Sequence, residues 1–466
     1  MPGKRFNQQA GCSFSSNYLK ASVQWVPVVL GKITLLKFGG TSLEDASAFE
    51  RAARIVCSCE NELRVVVLSA MSGMTDALLS SARLAARGEL TQAIALLETQ
   101  ITRHLAVAVN LPPRAVSTIK DSQQEIQTIL YELHDLRHLS PKLQDQIVSY
   151  GEQLSAKLMT LILAQHGQQT VYVDARQCIL TDEEHGAAQP LLEESRRLTR
   201  AALLPLLETQ SIPVIGGFFA VSTSGATTTL GRGSSDYTAT LISASLHACE
   251  AQIWTDVSGV FSADPQLIKT AQPIPWLSYE EAVELARFGG KVLHPKTVQP
   301  VAKLGIPLRV CNSRSPEFPG TIVSAAPTGA KQNGIKAIAH KLGITLIDFA
   351  SSRAFMSNGF RNAVEQIFHE HHATVDIVTK GALEASLICE PTDRLGAIVE
   401  NLQKLGTVRV ENDLAVICCV GTLETALLET EPGIYWQHAS NVSSIAMVPA
   451  QRVGTLVSAL HERIVN

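Results

Sequence analysis

The chain has 466 residues, a length that at roughly 150 residues per domain allows about three domains and a substantial core. Its 39 Lys and Arg against 43 Asp and Glu give a formal charge of −4, so no general basic field exists to hold a nucleic-acid backbone. Hydrophobic residues are 45% and charged residues 18%, and no uncharged apolar run reaches the roughly 18 residues that span a bilayer, which excludes a membrane as well.

Nine cysteines, from Cys12 to Cys419, show neither paired zinc spacing nor a compact disulfide framework. A reducing, cytoplasmic compartment is expected. The first acidic residue is Glu44, and Lys4, Arg5, Lys20 and Lys32 precede it among Ser, Asn and Gln. That is the acid-poor composition of an organelle transit peptide, but the segment is short and poor in Arg, so residues 1–31 are expected to be a disordered extension.

Ile33 to Phe38 and Arg64 to Ala70 are apolar runs that read as buried parallel strands. Between them Ser42 to Cys57 has helical spacing, with Ser42 and Asp45 in a capping arrangement, so the segment is a βαβ unit. Thr75 to Gln165 is helical, interrupted at Leu111-Pro112-Pro113 and Ser140-Pro141. Short strands follow at Thr170 to Asp174, Ile212 to Gly216, Ala251 to Thr255 and Pro307 to Cys311, mostly separated by helices. This alternation predicts an α/β domain with a largely parallel sheet flanked by helices, over residues 32–325, with a linker at Ala325 to Asn333.

Residues 335–466 change pattern. Ile335 to Phe349 is a strand, Asn358 to His371 a helix, Val375 to Thr379 and Ala385 to Cys389 strands, Asp393 to Lys404 a helix, and Val408 to Val420 two more strands. Strand-helix-strand-strand-helix-strand is the ferredoxin-like pattern. A weaker second copy has strands near Val442 to Pro449 and a last helix from Ala450, so two interleaved α+β modules are expected.

Four clusters carry chemistry. In Lys37-Phe38-Gly39-Gly40-Thr41-Ser42, paired glycines let N–H groups approach phosphate oxygens and a lysine can reach the transferred group, although alone such a turn merely reverses a chain. In Thr227 to Tyr237, Arg232 can grip a carboxylate, Gly231 and Gly233 allow close approach, Ser234 and Ser235 supply donors, and Asp236 can orient a lysine or a metal. The alternative for that stretch is a polar loop before a helix. Trp254 to Pro265 is a strand running into a Gly/Pro loop, a place for a nucleotide or an ordinary strand exit. Phe288 to Pro295 offers Lys291 as a second cation, or a solvated lysine. Gly231-x-Gly233 lacks a third glycine and Gly290-Lys291 is followed by Val292, so neither is a dinucleotide fingerprint or a Walker loop.

In this order, Lys37 to Ser42, Val67 to Thr75, Val148 to Glu152, Thr227 to Tyr237, Trp254 to Pro265 and Gly290 to Pro295 resemble the aspartate kinases of the amino-acid kinase family. The C-terminal modules look like that family's paired ACT domains, closest to the monofunctional lysine-sensitive type. The resemblance implies transfer of the γ-phosphoryl of ATP, carried with Mg²⁺, to the side-chain carboxylate of L-aspartate. It implies a phosphoryl-stabilising Lys37 organised by Asp236, and ATP contacts from Gly39, Gly40, Thr41, Thr255, Asp256, Phe261, Gln266, Lys291 and Val292. Aspartate would meet Thr75, Glu152, Arg232, Gly233, Ser234 and Ser235, with Glu152 on the α-ammonium and Arg232 on the α-carboxylate. No metal-ligating side chain is implied.

The same likeness places an amino-acid effector at Met356, Ser357, Gly359, Phe360, Asp376 and Thr379, and a homodimer through the ACT modules. Three departures stand out. Phe261 replaces the family's usual nucleotide-contacting tyrosine and Gln266 a common arginine, which implies a higher Michaelis constant for ATP. Lys380-Gly381-Ala382 replaces Thr-Ser-Glu, which implies weak or absent lysine inhibition. His369, His371 and His372 are expected to be solvated, because the first pair faces apart on a helix. The competing readings are a related kinase acting on another carboxylate, and a non-catalytic ACT-based sensor.

Overall fold

The computed structural model describes residues 32–61, 63–231, 233–290, 293–325, 334–351, 357–379, 384–422 and 436–465, without the side chains of 357–358, 360, 378–379, 422, 436–439 and 464–465. The extension 1–31 and all of the expected linker but Ala325 lie outside the described residues.

The chain begins with β1 (Ile33–Phe38), α1 (Ala46–Ser58) and β2 (Leu63–Leu68). Five helices follow: α2 (Met74–Arg87), α3 (Leu90–Ala108), α4 (Pro113–Leu136), α5 (Pro141–Val148) and α6 (Tyr150–Gln165). Pro113 and Pro141 sit in first turns, where a missing N–H costs nothing. Next come β3 (Thr170–Val173), β4 (Leu180–Thr181), α7 (Leu192–Glu208), β5 (Ile212–Gly216), β6 (Phe219–Ser222) and β7 (Thr227–Thr229). The first domain ends with α8 (Ser235–Leu246), β8 (Glu250–Thr255), β9 (Trp276–Leu277), α9 (Tyr279–Arg287), α10 (Pro295–Ala302), β10 (Leu308–Asn312) and β11 (Thr321–Val323).

One eight-stranded sheet runs β3-β5-β2-β1-β8-β10-β11-β9, parallel from β3 to β10. Strands after β1 add on one side and strands from β8 add on the other, so the strand order reverses between β1 and β8. The crevice at their C-terminal ends is where an open α/β sheet binds ligands. Alternate residues face opposite layers: Leu36 and Phe38 pack with α1 to α6, whereas Ile33 and Leu35 pack with α7 to α10. Lys37 shares the second face, and this period of two aims it at α8. Strands β4, β6 and β7 form a separate three-stranded sheet.

The remaining elements are β12 (Gly334–Ser351), α11 (Ser357–Glu370), β13 (Val375–Thr379), β14 (Glu384–Cys389), α12 (Leu395–Gln403), β15 (Gly406–Thr422), β16 (Trp436–Ser440), β17 (Ser443–Pro449) and α13 (Val453–Val465). They build a six-stranded sheet ordered β13-β14-β12-β15-β17-β16, the ACT-like arrangement. β12 and β15 pair antiparallel from Gly334↔Thr422 to Ser351↔Gly406 and are the two central strands of this sheet.

Two local expectations are corrected. The expected pair of strands over Val408 to Val420 is the single β15; its break survives as register shifts near Ile344 and a positive φ at Asp413. The cap of α1 is Asp45, whose carboxylate accepts the Ala48 N–H at 2.8 Å, whereas Ser42 is buried in a preceding 3₁₀ turn and bonds Ser313. No helix among the described residues is long and apolar enough to cross a membrane.

Candidate active site

Lys37, next to last in β1, is almost fully buried, and its Nζ lies 2.5 Å from Oδ1 of Asp236 in the first turn of α8. Gly39 follows at the end of the strand; a Cβ there would stand 3.6 Å from Nζ and 3.5 Å from Trp254 O. A Cβ on Gly40 would meet Ala70 O at 3.0 Å. A side chain would thus be tolerated at Gly39, in ordinary contact, while Gly40 keeps the turn thin against the loop after β2. One part of the phosphate expectation is corrected: the Gly39 N–H donates to Trp254 O at 2.9 Å and so is not free for a phosphate oxygen.

Beside this turn lies a cavity of about 580 Å³ lined by Gly40, Ala70, Thr75, Glu152, Gly233 and Ser235 among others. Glu152 stands in the first turn of α6 and is 4% exposed. Gly151 and Gly216 allow the close packing around it, since a Cβ on Gly151 would collide with Ala70 and one on Gly216 would collide with Phe219 and crowd Glu152 at 3.1 Å. One oxygen, Oε1, accepts the Ala70 N–H at 3.2 Å; Oε2 has no hydrogen-bond partner among the described residues. Burial pushes the Glu152 pKa up to about 8, against the opposing pull of the Ala70 N–H, its own N–H and the Lys37 charge. A buried carboxylate oxygen without a partner is costly, and it is an acceptor set for a cationic ligand group.

Ser234 and Ser235 are buried at the start of α8, and Ser234 Oγ donates to Gly231 O at 2.6 Å. Gly231 and Gly233 have φ of +93° and +71°, the left-handed region that a glycine enters without strain. Arg232 between them lies outside the described residues, as do Lys291 and Val292.

A second, more apolar cavity of about 290 Å³ opens beyond β8. Phe261 and Gln266 line it from the loop after β8, Gly289 and Gly290 from the end of α9, and Ile338 to His340 from β12. Gly289 has φ +111°, and a Cβ there would meet His340 O at 2.0 Å, so this glycine lets β12 pass against the cavity. Thr255 is half-buried at the end of β8 and Asp256 is exposed beside it.

One cavity therefore lies at the ends of β1 and β2, and the other at the loop that follows β8. The model described as the amino acid kinase family matches residues 32–312. The chain belongs to the amino acid kinase family. It is 33% identical over 403 residues to the lysine-sensitive aspartokinase 3 of Escherichia coli K12, covering 84% of this chain and 88% of that protein. It is 30% identical to the chloroplastic aspartokinase 1 of Arabidopsis thaliana, covering 89% and 74%. Among solved structures, E. coli aspartokinase III in complex with aspartate and ADP, described as the R-state, aligns with a TM-score of 0.81 at 31% identity, covering 93% of this chain and all of that one. The T-state of that enzyme with lysine and aspartate gives 0.73 at 32% identity, over 92% and 99%.

Other residues of this amino acid kinase were not legible as site residues. Asp145 of α5 is fully buried and touches the larger cavity; it takes His185 Nδ1 at 2.8 Å, the Gly186 N–H at 3.0 Å and the Thr229 hydroxyl at 2.6 Å. These partners are 40 to 84 residues away in sequence, and nothing local marks the aspartate. His294 caps α10 close enough to Asp236 to feel its charge, although burial dominates and lowers its pKa.

Of the effector positions, Met356 lies outside the described residues; Ser357, Gly359 and Phe360 fall on α11 and Thr379 on β13. Asp376 of β13 is paired with the catalytic half: its Oδ1 takes Nε of Arg287 in α9 at 2.6 Å. Of the three histidines only His369 lies on α11; His371 and His372 form the turn after it, where His371 reaches Asn401 at 3.0 Å, and no group of three or more metal-ligating side chains occurs among the described residues.

Proposed function

We infer that the chain is an aspartate kinase, transferring the γ-phosphoryl of ATP to the side-chain carboxylate of L-aspartate to give 4-phospho-L-aspartate. The observation that carries this reading is the juxtaposition of the Lys37–Asp236 pair with the cavity into which Glu152 presents a partnerless oxygen. The acceptor carboxylate is already ionised at neutral pH, so no strong general base is needed, and the work is alignment and charge neutralisation. Lys37 stabilises the phosphoryl group in transit. Asp236 holds its ammonium at one corner and leaves two N–H bonds for phosphate oxygens. What supports a phosphate path along Gly40 and Thr41 is the thin turn at the switch point of the sheet.

For aspartate, Glu152 takes the α-ammonium and Arg232 the α-carboxylate, with Thr75, Gly233, Ser234 and Ser235 around them. The buried, uncompensated Glu152 supports the first assignment. Phe261 and Gln266 support reading the apolar cavity as the place of the nucleotide base, with Lys291 and Val292 beside it. Mg²⁺ arriving on the ATP phosphates supplies further charge neutralisation. A homodimer would form through the second sheet, whose outer strands β13 and β16 each have one unpaired side among the described residues. The free thiols, Cys57 to Cys419 among the described residues, support a reducing compartment.

The direct test is a hydroxamate assay with ATP, Mg²⁺ and either aspartate or glutamate. Product with aspartate is expected; product with glutamate alone would assign a different acceptor, and none with either would leave the sensor reading.

A further inference from the structure

Ser262, in the loop that carries Phe261 and Gln266, is buried and holds the catalytic half against the regulatory half. Its carbonyl accepts the Ile338 N–H of β12 at 2.8 Å. Its hydroxyl lies 2.8 Å from Nε2 of His461 in α13 and accepts the Gln272 N–H at 3.0 Å, while its own N–H donates to Gln272 O at 2.8 Å. His461 is 2% exposed. Around this contact the packing is apolar: Ala263 and Ile268 of the loop share one core with Val457 and Leu460 of α13.

Apolar packing holds two surfaces together without fixing how a turn is rotated between them, whereas hydrogen bonds in a dry site are directional. Burial lowers the His461 pKa, so the ring is neutral at pH 7. The Ser262 hydroxyl, already accepting from Gln272, can then give its proton to Nε2. The result is that the Phe261 to Gln266 segment is clamped at Ser262 by two elements. One clamp comes from β12, which also walls the cavity, and the other from the last helix of the chain.

We propose that His461 is a positioning residue for nucleotide binding: through Ser262 it sets the turn that presents Phe261 and Gln266, so the C-terminal helix completes the ATP site. This rests on reading the apolar cavity as the nucleotide site.

The test is steady-state kinetics of the full-length protein, varying ATP and aspartate separately, with melting temperatures measured alongside. His461→Ala is expected to raise the ATP Michaelis constant about fivefold, the value of one hydrogen bond, with that for aspartate unchanged. His461→Gln, which puts a carboxamide near Nε2, restores it. Ser262→Ala, which spares the helix but also takes the acceptor from the Gln272 N–H, gives at least as large a rise, and the double variant adds nothing beyond Ser262→Ala because the contact with His461 is shared. Phe261→Ala separates the two layers. If it leaves the ATP constant unchanged, the cavity is not the nucleotide site and the inference falls with that reading. If it raises the constant while His461→Ala and Ser262→Ala do not, the positioning role alone is overturned. Loss of melting temperature in His461→Ala with both Michaelis constants altered and no rescue by Gln overturns it as well.

Discussion

Nζ of Lys37 and Oδ1 of Asp236 stand 2.5 Å apart across the crevice, one from the end of β1 and one from the first turn of α8. The ion pair holds the ammonium at the end of β1, where the proposed reaction needs it for phosphate oxygens. Lys37→Ala should lower kcat by about 10²–10³-fold, the scale for losing one preorganised donor at a developing charge. It also strands the Asp236 carboxylate, so a lower melting temperature is expected, while far-UV circular dichroism should be preserved. Turnover above about a tenth of the parent would sink the role given to Lys37.

Glu152 carries a pH signature. With its pKa near 8, the carboxyl is protonated in the free protein at neutral pH, and pairing with an ammonium requires it to ionise. Aspartate binding near pH 7 should therefore release a proton, seen by calorimetry in buffers of different ionisation enthalpy. The Michaelis constant for aspartate should fall as pH rises toward 8 and then level off. The stability effect has the opposite sense. A carboxyl whose pKa is raised on folding keeps an extra proton in the native state between about 4.5 and 8, so the unliganded protein loses stability over that interval. Glu152→Gln lacks this dependence, and its melting-temperature advantage over the parent should widen from acid to pH 8. A constant difference would remove the buried-carboxylate account.

How far these features were legible follows from the range of each interaction. β1 and β5 could be read as strands because a parallel strand buried on both faces is a continuous apolar run. The glycines around Arg232 were legible because a positive φ leaves its mark in composition. Glu152 could be named only through family resemblance, since the close packing around it rests on Gly151 and on Gly216, which belongs to a distant strand. The cap of α1 went to Asp45 because Ser42 is drawn inward by Ser313, 271 residues away. The contact between Ser262 and His461 spans 199 residues and left no local trace.

Asp145 ties the loop at Gly186 to β7 beneath the substrate cavity. Thr229→Val removes one of its donors and leaves a fully buried carboxylate less satisfied, at a cost of about 1–3 kcal/mol. Because the cavity wall moves rather than the phosphate turn, the Michaelis constant for aspartate should rise and that for ATP stay put. Equal rises in both would mean general loosening of the fold and would remove Asp145 from the substrate wall.

The nucleotide cavity invites a gain-of-affinity experiment. Phe261 offers a ring without a hydroxyl, and Gln266, exposed at the cavity mouth, offers no charge. Phe261→Tyr combined with Gln266→Arg should lower the Michaelis constant for ATP, and more so at low salt, because an exposed cation is screened by salt. An unchanged constant would show that neither substitution explains ATP affinity here.

Regulation is the last point at which sequence and structure combine. Asp376, the acidic member of the expected effector site, is held by Arg287 at 2.6 Å, and Arg287, the last residue of α9, stands two residues before Gly289, which lines the apolar cavity. A cationic effector would have to displace that guanidinium, and the sequence places Lys380 where the lysine-sensing pattern continues with Thr-Ser-Glu. Both features oppose a second positive charge. Lysine should therefore inhibit the purified enzyme weakly or not at all, and half-inhibition at sub-millimolar lysine would refute this. Lys380→Thr, Gly381→Ser and Ala382→Glu together restore the pattern and should raise lysine sensitivity. Arg287→Ala frees Asp376 but also loosens the end of α9, so it should raise the Michaelis constant for ATP even without effector. If Arg287→Ala leaves that constant unchanged, the ion pair joins the two halves without reaching the nucleotide.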